Sequence, residues 1–216
     1  MVPSHLHLSE RDRDLLDALT LRVRVLSVPQ IARYWFGKVG DPIRQAARRI
    51  SALKRAGLVE QAAVPARPEL ALHRPLVTWI PGEAEPDFQR FATILDARWR
   101  EPATPTRIVI ATRKAGNARG GSGGRWPRRS EVSHDLTLAG LYLAWRRRRQ
   151  GKEAAEWIFE ARLRQEGFGD EDRLPDAMIQ ESGRRRVIEL GGAYGAAKLR
   201  DFHRFCAERG LPYELW

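Results

Sequence analysis

The sequence predicts a two-domain chain that mixes α and β structure, and three observations carry the prediction. Residues 9–60 hold three helix-start signals in succession, followed by strand-forming residues. Residues 133–216 alternate short apolar runs with two long helical patterns. Between them, Pro102, Pro105 and a glycine-rich basic stretch interrupt the periodicity. The chain's 216 residues suffice for one large core or two smaller ones, and a hydrophobic content of 43% is that of a folded protein.

Ser9 opens the first helix, with Asp12 three residues on in a capping-box arrangement where Glu is more usual. Leu15, Leu16 and Leu19 supply its apolar face. Ser27 starts a second helix with Pro29 in its first turn. That helix, residues 28–36, should bury Ile31, Tyr34 and Trp35, and Gly37 to Gly40 should end it. Asp41 caps a third helix, with Pro42 in its first position. Ile43, Ala46, Ala47, Ile50 and Leu53 form the expected buried stripe of this helix. Arg44, Arg48, Ser51 and Arg55 share its outer face, with Gln45, Arg49 and Ala52 beside them. Gly57 stops the helix, Leu58–Glu60 begins a strand, and Leu76–Ile80 is expected to return against it before Pro81-Gly82.

Three short helices followed by a hairpin is the order of a winged helix-turn-helix, assigned to residues 1–82. A helix with a buried stripe and an Arg/Gln/Ser outer face suits a DNA major groove. There Arg and Gln read base edges while other arginines meet phosphates. A small helical bundle that makes protein contacts is the alternative for the same pattern.

Phe88, Phe91, Ile94, Leu95 and Trp99 recur at helical spacings, which predicts a linking helix within 83–105. The pattern leaves open whether it packs on the first domain, links the two, or contacts a second copy of the chain or another protein. Arg107–Ala111 is an apolar strand expected to open the second domain, residues 106–216. Thr112–Ser130 then carries Arg113, Lys114, Arg119, Arg125, Arg128 and Arg129, with five glycines and no acid. Such a composition predicts a mobile basic loop. As an arm it would track phosphates, with Trp126 stacking on a strand. No Gly-Lys-Ser/Thr follows, so the glycines do not spell a nucleotide phosphate loop.

Ser133–Arg149 reads as a helix with Leu136, Leu138, Leu141, Tyr142, Leu143 and Trp145 on a broad apolar side. Arg146 to Arg149 load its C-terminus, which suits the helix dipole. Glu156–Glu160 is the next strand, Pro175-Asp176 enters another, and Ser182-Gly183 turns into Val187–Leu190. A helix over Tyr194–Arg209 and a strand over Pro212–Trp216 complete the chain. The hairpin brings Asp176 near Glu189, and Glu160 at the end of a neighbouring strand is a third carboxylate. Paired carboxylates are the minimum for holding a divalent metal against a phosphate. The alternative is structural, with Asp176 in a turn contact and Glu189 paired with an arginine. A carboxylate between Ile188 and Leu190 is costly to bury alone.

The charge balance favours a polyanionic partner. There are 38 Lys+Arg against 27 Asp+Glu, a formal net charge of +11. The single cysteine, Cys206, excludes an internal disulfide, and no Cys/His cluster has zinc spacing. No apolar run is long enough for a membrane span, and residues 1–14 lack a hydrophobic signal core, so a cytoplasmic location is expected.

The run from LPDAMI to VIELGG resembles the core of the PD-(D/E)xK nuclease-like superfamily. That resemblance implies a restriction-endonuclease-like mixed sheet flanked by helices, with Asp176 and Glu189 as metal carboxylates and Mg2+ or Mn2+ as the ion of an active member. The superfamily's lysine falls on Gly191, which has no side chain, and Lys198 is the cation a shifted position would use. The order of LSERDRDLLDAL, VPQIARYWF, ARRISALKRAGLV, SHDLTLAGLYLA, WIFEARLR, LPDAMI, VIELGGAY and KLRDFHRF resembles the replication-relaxation family of plasmids and mobile elements. The expected function is therefore a DNA-binding regulator or accessory factor with a degenerate nuclease-like domain and no cofactor. The alternative is a metal-dependent endonuclease or nicking factor using Asp176, Glu189, Glu160 and Lys198.

Overall fold

The computed structural model describes residues 6–37, 40–149, 155–170 and 173–216. Part of the expected helix stop, Lys38 and Val39, lies outside them. In chain order the elements are α1 (Glu10–Asp17), a π-helical turn (Ala18–Arg22), β1 (Leu26–Ser27), α2 (Val28–Trp35), α3 (Pro42–Arg55), β2 (Val59–Ala66), β3 (Val77–Trp79) and α4 (Phe88–Asp96). There follow β4 (Thr104–Ala111), α5 (Arg113–Ala118), α6 (Val132–Arg148), β5 (Ala155–Phe159), α7 (Glu160–Gln165), β6 (Ala177–Glu181), β7 (Arg184–Glu189), α8 (Ala196–Glu208) and β8 (Tyr213–Leu215). The architecture is mixed α and β with two sheets. No helix among the described residues is long and apolar enough to cross a membrane.

Two compact units share the chain: Met1–Pro68 with Ala103–Trp145, and Glu69–Pro102 with Arg146–Trp216. In the first, the local start signals operate as the residues dictate. Ser9 and Asp12 form a reciprocal capping box on α1, and Ser27 and Gln30 form one on α2. The Gln30 amide reaches further, donating to the Leu136 carbonyl of α6 at 2.7 Å. Asp41 caps α3 by accepting from the Arg44 N–H at 3.0 Å. The sheet runs β1-β4-β2, all antiparallel, with β2 and β4 in register from Val59↔Ala111 to Ala66↔Thr104. Val25, Ile108, Ile110, Val132 and Leu136 form a shared core cluster.

The partner of β2 is thus not the strand expected at Leu76–Ile80. That segment forms β3, which pairs with β8 in the other sheet. Arg107–Ala111, expected to open the second domain, is instead the long strand β4 that closes the first sheet. Eight residues of β2 match eight of β4, whereas β3 has three. The hairpin's connection therefore contains β3 and α4, both within the second unit.

The second unit has a five-stranded sheet ordered β3-β8-β7-β6-β5, antiparallel throughout except for β7 beside β8. The β6–β7 connection is a two-residue turn in which Ser182 (φ 49°) and Gly183 (φ 78°) are both left-handed, the conformation tight hairpins require. Helices α4 and α8 pack together, with Leu95, Met178, Val187, Phe202 and Tyr213 in one core cluster. The helix expected as a linker is thus a core element of this unit, burying Phe88, Ala92 and Leu95.

Candidate functional site

Helix α3 buries Ala46, Ile50 and Leu53 and exposes Arg44, Gln45, Arg48, Ser51 and Arg55. Two residues depart from their expected places. Ile43 is 44% exposed rather than in the buried stripe, because it lies in the helix's first turn, ahead of the residues that meet the core. Arg49 turns inward. Its Nε donates to Asp12 Oδ1 at 2.6 Å and its Nη2 to Asp12 Oδ2 at 2.5 Å and to the His7 carbonyl at 2.9 Å. Burial of Asp12 would by itself raise its pKa. The hydrogen bonds from Arg49 and Ser9 outweigh that and hold the carboxyl below its ordinary value. Arg49 therefore anchors α3 to α1 and is not part of the outer face. The Ser51 hydroxyl donates back to the Ala47 carbonyl at 2.9 Å.

The glycine-rich basic stretch is packed, not a mobile arm. A side chain on Gly121 would place its Cβ 2.3 Å from the Thr20 carbonyl oxygen, and one on Gly123 would lie 2.3 Å from that of Thr112. The glycines here let backbone meet backbone. Trp126 is not free to stack: its indole N–H donates to Glu60 at 3.0 Å and its ring packs on the core beneath the sheet. Arg119 is paired with Asp17, and Arg128 lies 3.9 Å from Glu131. Arg113, Lys114, Arg125, Arg128 and Arg129 remain exposed.

Part of this segment is fixed to the end of α3. Gly57, at φ +69°, caps α3 in the left-handed conformation, with its N–H on the Lys54 carbonyl. Thr112 donates its hydroxyl to the Gly57 carbonyl at 2.8 Å while accepting from Ala115 N–H at the start of α5. The backbone of Gly124 lies against Arg113. These contacts bring the backbone at Arg113, Lys114 and Arg125 to the C-terminal end of α3, which carries Arg55, although up to 70 residues separate them in sequence.

In the second unit, Ala177 pairs with Ile188, so Asp176 and Glu189 reach the same end of the β6–β7 hairpin. Asp176 accepts the Leu190 N–H at 2.8 Å. Glu189 is 2% exposed. It accepts from Arg173 Nη2 at 2.6 Å and from the Tyr194 hydroxyl at 3.3 Å. The Arg173 guanidinium also lies 5.1 Å from the Phe202 ring centre. Burial alone would lower the Arg173 pKa, but Glu189 beside it raises it. Burial raises the Tyr194 pKa, reinforced by the charges of Glu189 and Asp176.

Lys198 is exposed, with its ammonium 3.6 Å from the centre of the Tyr194 ring. Burial and the Arg173 charge lower its pKa, opposed by Glu189 and Asp176, so it belongs to the same cluster electrostatically. Glu160 begins α7, immediately after β5. Among the described residues, no three His, Cys, Asp or Glu side chains gather as a group able to hold a metal ion. Two cations of the chain, Arg173 and Lys198, already face the two carboxylates.

At Gly191, a Cβ would lie 2.5 Å from both methyls of Leu95. Leu95 is fully buried. A lysine side chain has no room to leave the backbone there. Sequence reasoning missed Arg173 and Tyr194, whose only visible signal is nearness to Asp176 and Glu189, and it missed Leu95's role. Comparison with protein-family models, with curated proteins and with solved structures finds no match.

Proposed function

We propose that this chain is a DNA-binding protein, and that its second unit is a nuclease-like scaffold that does not cleave. One observation carries the reading. Arg44, Gln45, Arg48 and Arg55 stand exposed on α3, and the Thr112–Gly57 hydrogen bond sets Arg113, Lys114 and Arg125 at the end of that helix. A capped helix with base-reading side chains on one face and phosphate-meeting cations at its end is what a major-groove reader needs. Support for a winged-helix reading of this unit comes from the helices α1, α2 and α3 followed by the β2–β4 hairpin.

Three features support an inactive scaffold. Glu189 is buried and neutralised by Arg173, Leu95 fills the space where a lysine at 191 would start, and Lys198 sits over Tyr194. A metal ion between Asp176 and Glu189 would have to compete with the Arg173 guanidinium for the charge of Glu189. The motif order that resembles the replication-relaxation family supports a role as regulator or accessory factor of a plasmid or mobile element.

The test is retardation of a labelled DNA duplex by the purified full chain, once in EDTA and once with Mn2+. Retardation in both, with the DNA intact, is expected. Failure to bind any duplex at low salt refutes the reading. The second reading, a metal-dependent nuclease, is favoured by one observation: Lys198 lies within electrostatic reach of Asp176 and Glu189. It requires Mn2+-dependent fragments that vanish in Asp176→Ala.

A further inference from the structure

The second unit carries a basic cavity that neither reading uses. It is an open pocket of about 620 Å³ between residues 71–76 and one face of α4 and its C-terminal extension. Arg90, Ile94 and Arg98 recur every four residues and so line the cavity as one stripe. His73 and Arg74 face it from the other segment, and Phe91 adds an aromatic wall. Among the described residues, no acidic side chain lines it. The opposite face of α4 is committed to the core through Phe88, Ala92 and Leu95, so the cavity stripe is a separate surface.

Arg98 makes this cavity more than a solvated dent. Its Nη1 is buried with no hydrogen-bond partner. Burial lowers the Arg98 pKa, and no neighbouring charge opposes that. A desolvated guanidinium nitrogen without an acceptor is costly to the folded chain. Nη1 itself has no accessible surface, so an oxyanion in the cavity would offset that cost through its opposite charge beside the guanidinium and not by bonding to Nη1. The volume lies in the range of small-molecule sites, several times what a bare oxyanion fills.

We propose that this cavity binds a phosphate monoester of about mononucleotide size, with Arg98, Arg90 and Arg74 on the phosphate and Phe91 and Ile94 against the organic part. Three guanidinium groups with no acid match a group of charge near −2 better than a monocarboxylate. The monoester has two sources of the same chemistry, a free nucleotide or the 5′-phosphate end of a DNA strand. The site is independent of α3, so each can fail without the other.

The experiment is calorimetric titration of the full chain with a deoxynucleoside 5′-monophosphate, with acetate as control. One-to-one binding of the monophosphate and none of acetate is expected. Arg98→Met, which keeps the apolar stem, should weaken binding roughly tenfold or more and leave the melting temperature unchanged or raised. Arg48→Ala should weaken duplex retardation yet bind the monophosphate normally. Competition by a 5′-phosphorylated single strand, but not its 5′-hydroxyl counterpart, assigns the source to a DNA end. Competition by neither strand assigns it to the free nucleotide. Equal competition by both overturns the proposal in favour of ordinary phosphodiester contacts. It is also overturned by absence of monophosphate binding, by equal binding of acetate, or by Arg98→Met binding normally or melting lower.

Discussion

Replacing Gly191 with alanine tests the close packing that leaves no room for a lysine. The added methyl would sit 2.5 Å from both methyl carbons of Leu95, where contacts between carbon atoms are comfortable at roughly 3.5–4.0 Å. Either Leu95 leaves its rotamer or α4 shifts on α8, and overpacking of this kind costs about 1–3 kcal/mol. Cys206 provides the assay. It is the chain's single cysteine, fully buried in the core of this unit, and burial pushes its thiol up to about 12. Labelling by a thiol reagent then requires the unit to open, and its rate reports the opening equilibrium of this unit alone. A loss of one to two kcal/mol raises the open population roughly 5- to 30-fold. Leu95→Ala alone should cost about 2–5 kcal/mol. In the double variant the collision is gone, so the costs should fall short of additivity by about 1–2 kcal/mol. An unchanged labelling rate in Gly191→Ala, or strict additivity, would refute the packing argument.

Arg49→Ala should destabilise the first unit, by somewhat less than the roughly 3–5 kcal/mol of a fully buried pair because the guanidinium is 28% exposed, while Arg48→Ala leaves melting unchanged. Since Asp12 is held below its ordinary carboxyl value when folded, its contribution is complete above the unfolded value of about 3.9. That contribution is lost as pH falls through the lower folded value, so acid unfolding of Asp12→Asn should lack this component. DNA affinity should fall steeply with salt, and Arg113→Ala, Lys114→Ala and Arg125→Ala should each reduce the log–log slope by about one. Trp126→Phe should cost about 1 kcal/mol through its lost bond to Glu60 and leave DNA affinity unaltered, as chemical melting and gel retardation will report.

Local chemistry was legible in the sequence, and partnership was not. The caps of α1, α2 and α3 are written within four residues each, so the helices and the exposed arginines of α3 followed directly. The choice between Leu76–Ile80 and Arg107–Ala111 as the partner of β2 rests on contacts 38 to 52 residues away for β2–β4 and 134 to 138 residues away for β3–β8, which composition does not encode. Glycines at 121 and 123 looked like slack because a glycine needed for close approach and one that merely loosens a loop are spelled alike. Arg49 and Arg48 are adjacent arginines on one helix. Only the position of Asp12 separates the anchor from its exposed neighbour.

The balance of charge around Glu189 decides between a scaffold and a metal site, and Arg173 is the residue on which it turns. Its guanidinium holds Glu189 at 2.6 Å and is itself only 22% exposed. Arg173→Met keeps an unbranched apolar side chain but takes away the guanidinium over Phe202 and its charge beside Glu189, whose bond from the Tyr194 hydroxyl remains. Breaking one side of such a buried pair is costly, and a divalent cation bridging Asp176 and Glu189 would offset that cost by restoring an opposite charge. Stability of Arg173→Met should therefore become dependent on Mn2+, while that of the unmodified chain should not. Thiol labelling of Cys206 with and without the ion reads this directly, and Asp176→Ala in the same background should abolish the dependence. Equal stabilisation of the unmodified chain by Mn2+ would mean that the carboxylates accept a metal with Arg173 in place. The cluster would then have to be regarded as a working metal site, with Lys198 as its cation.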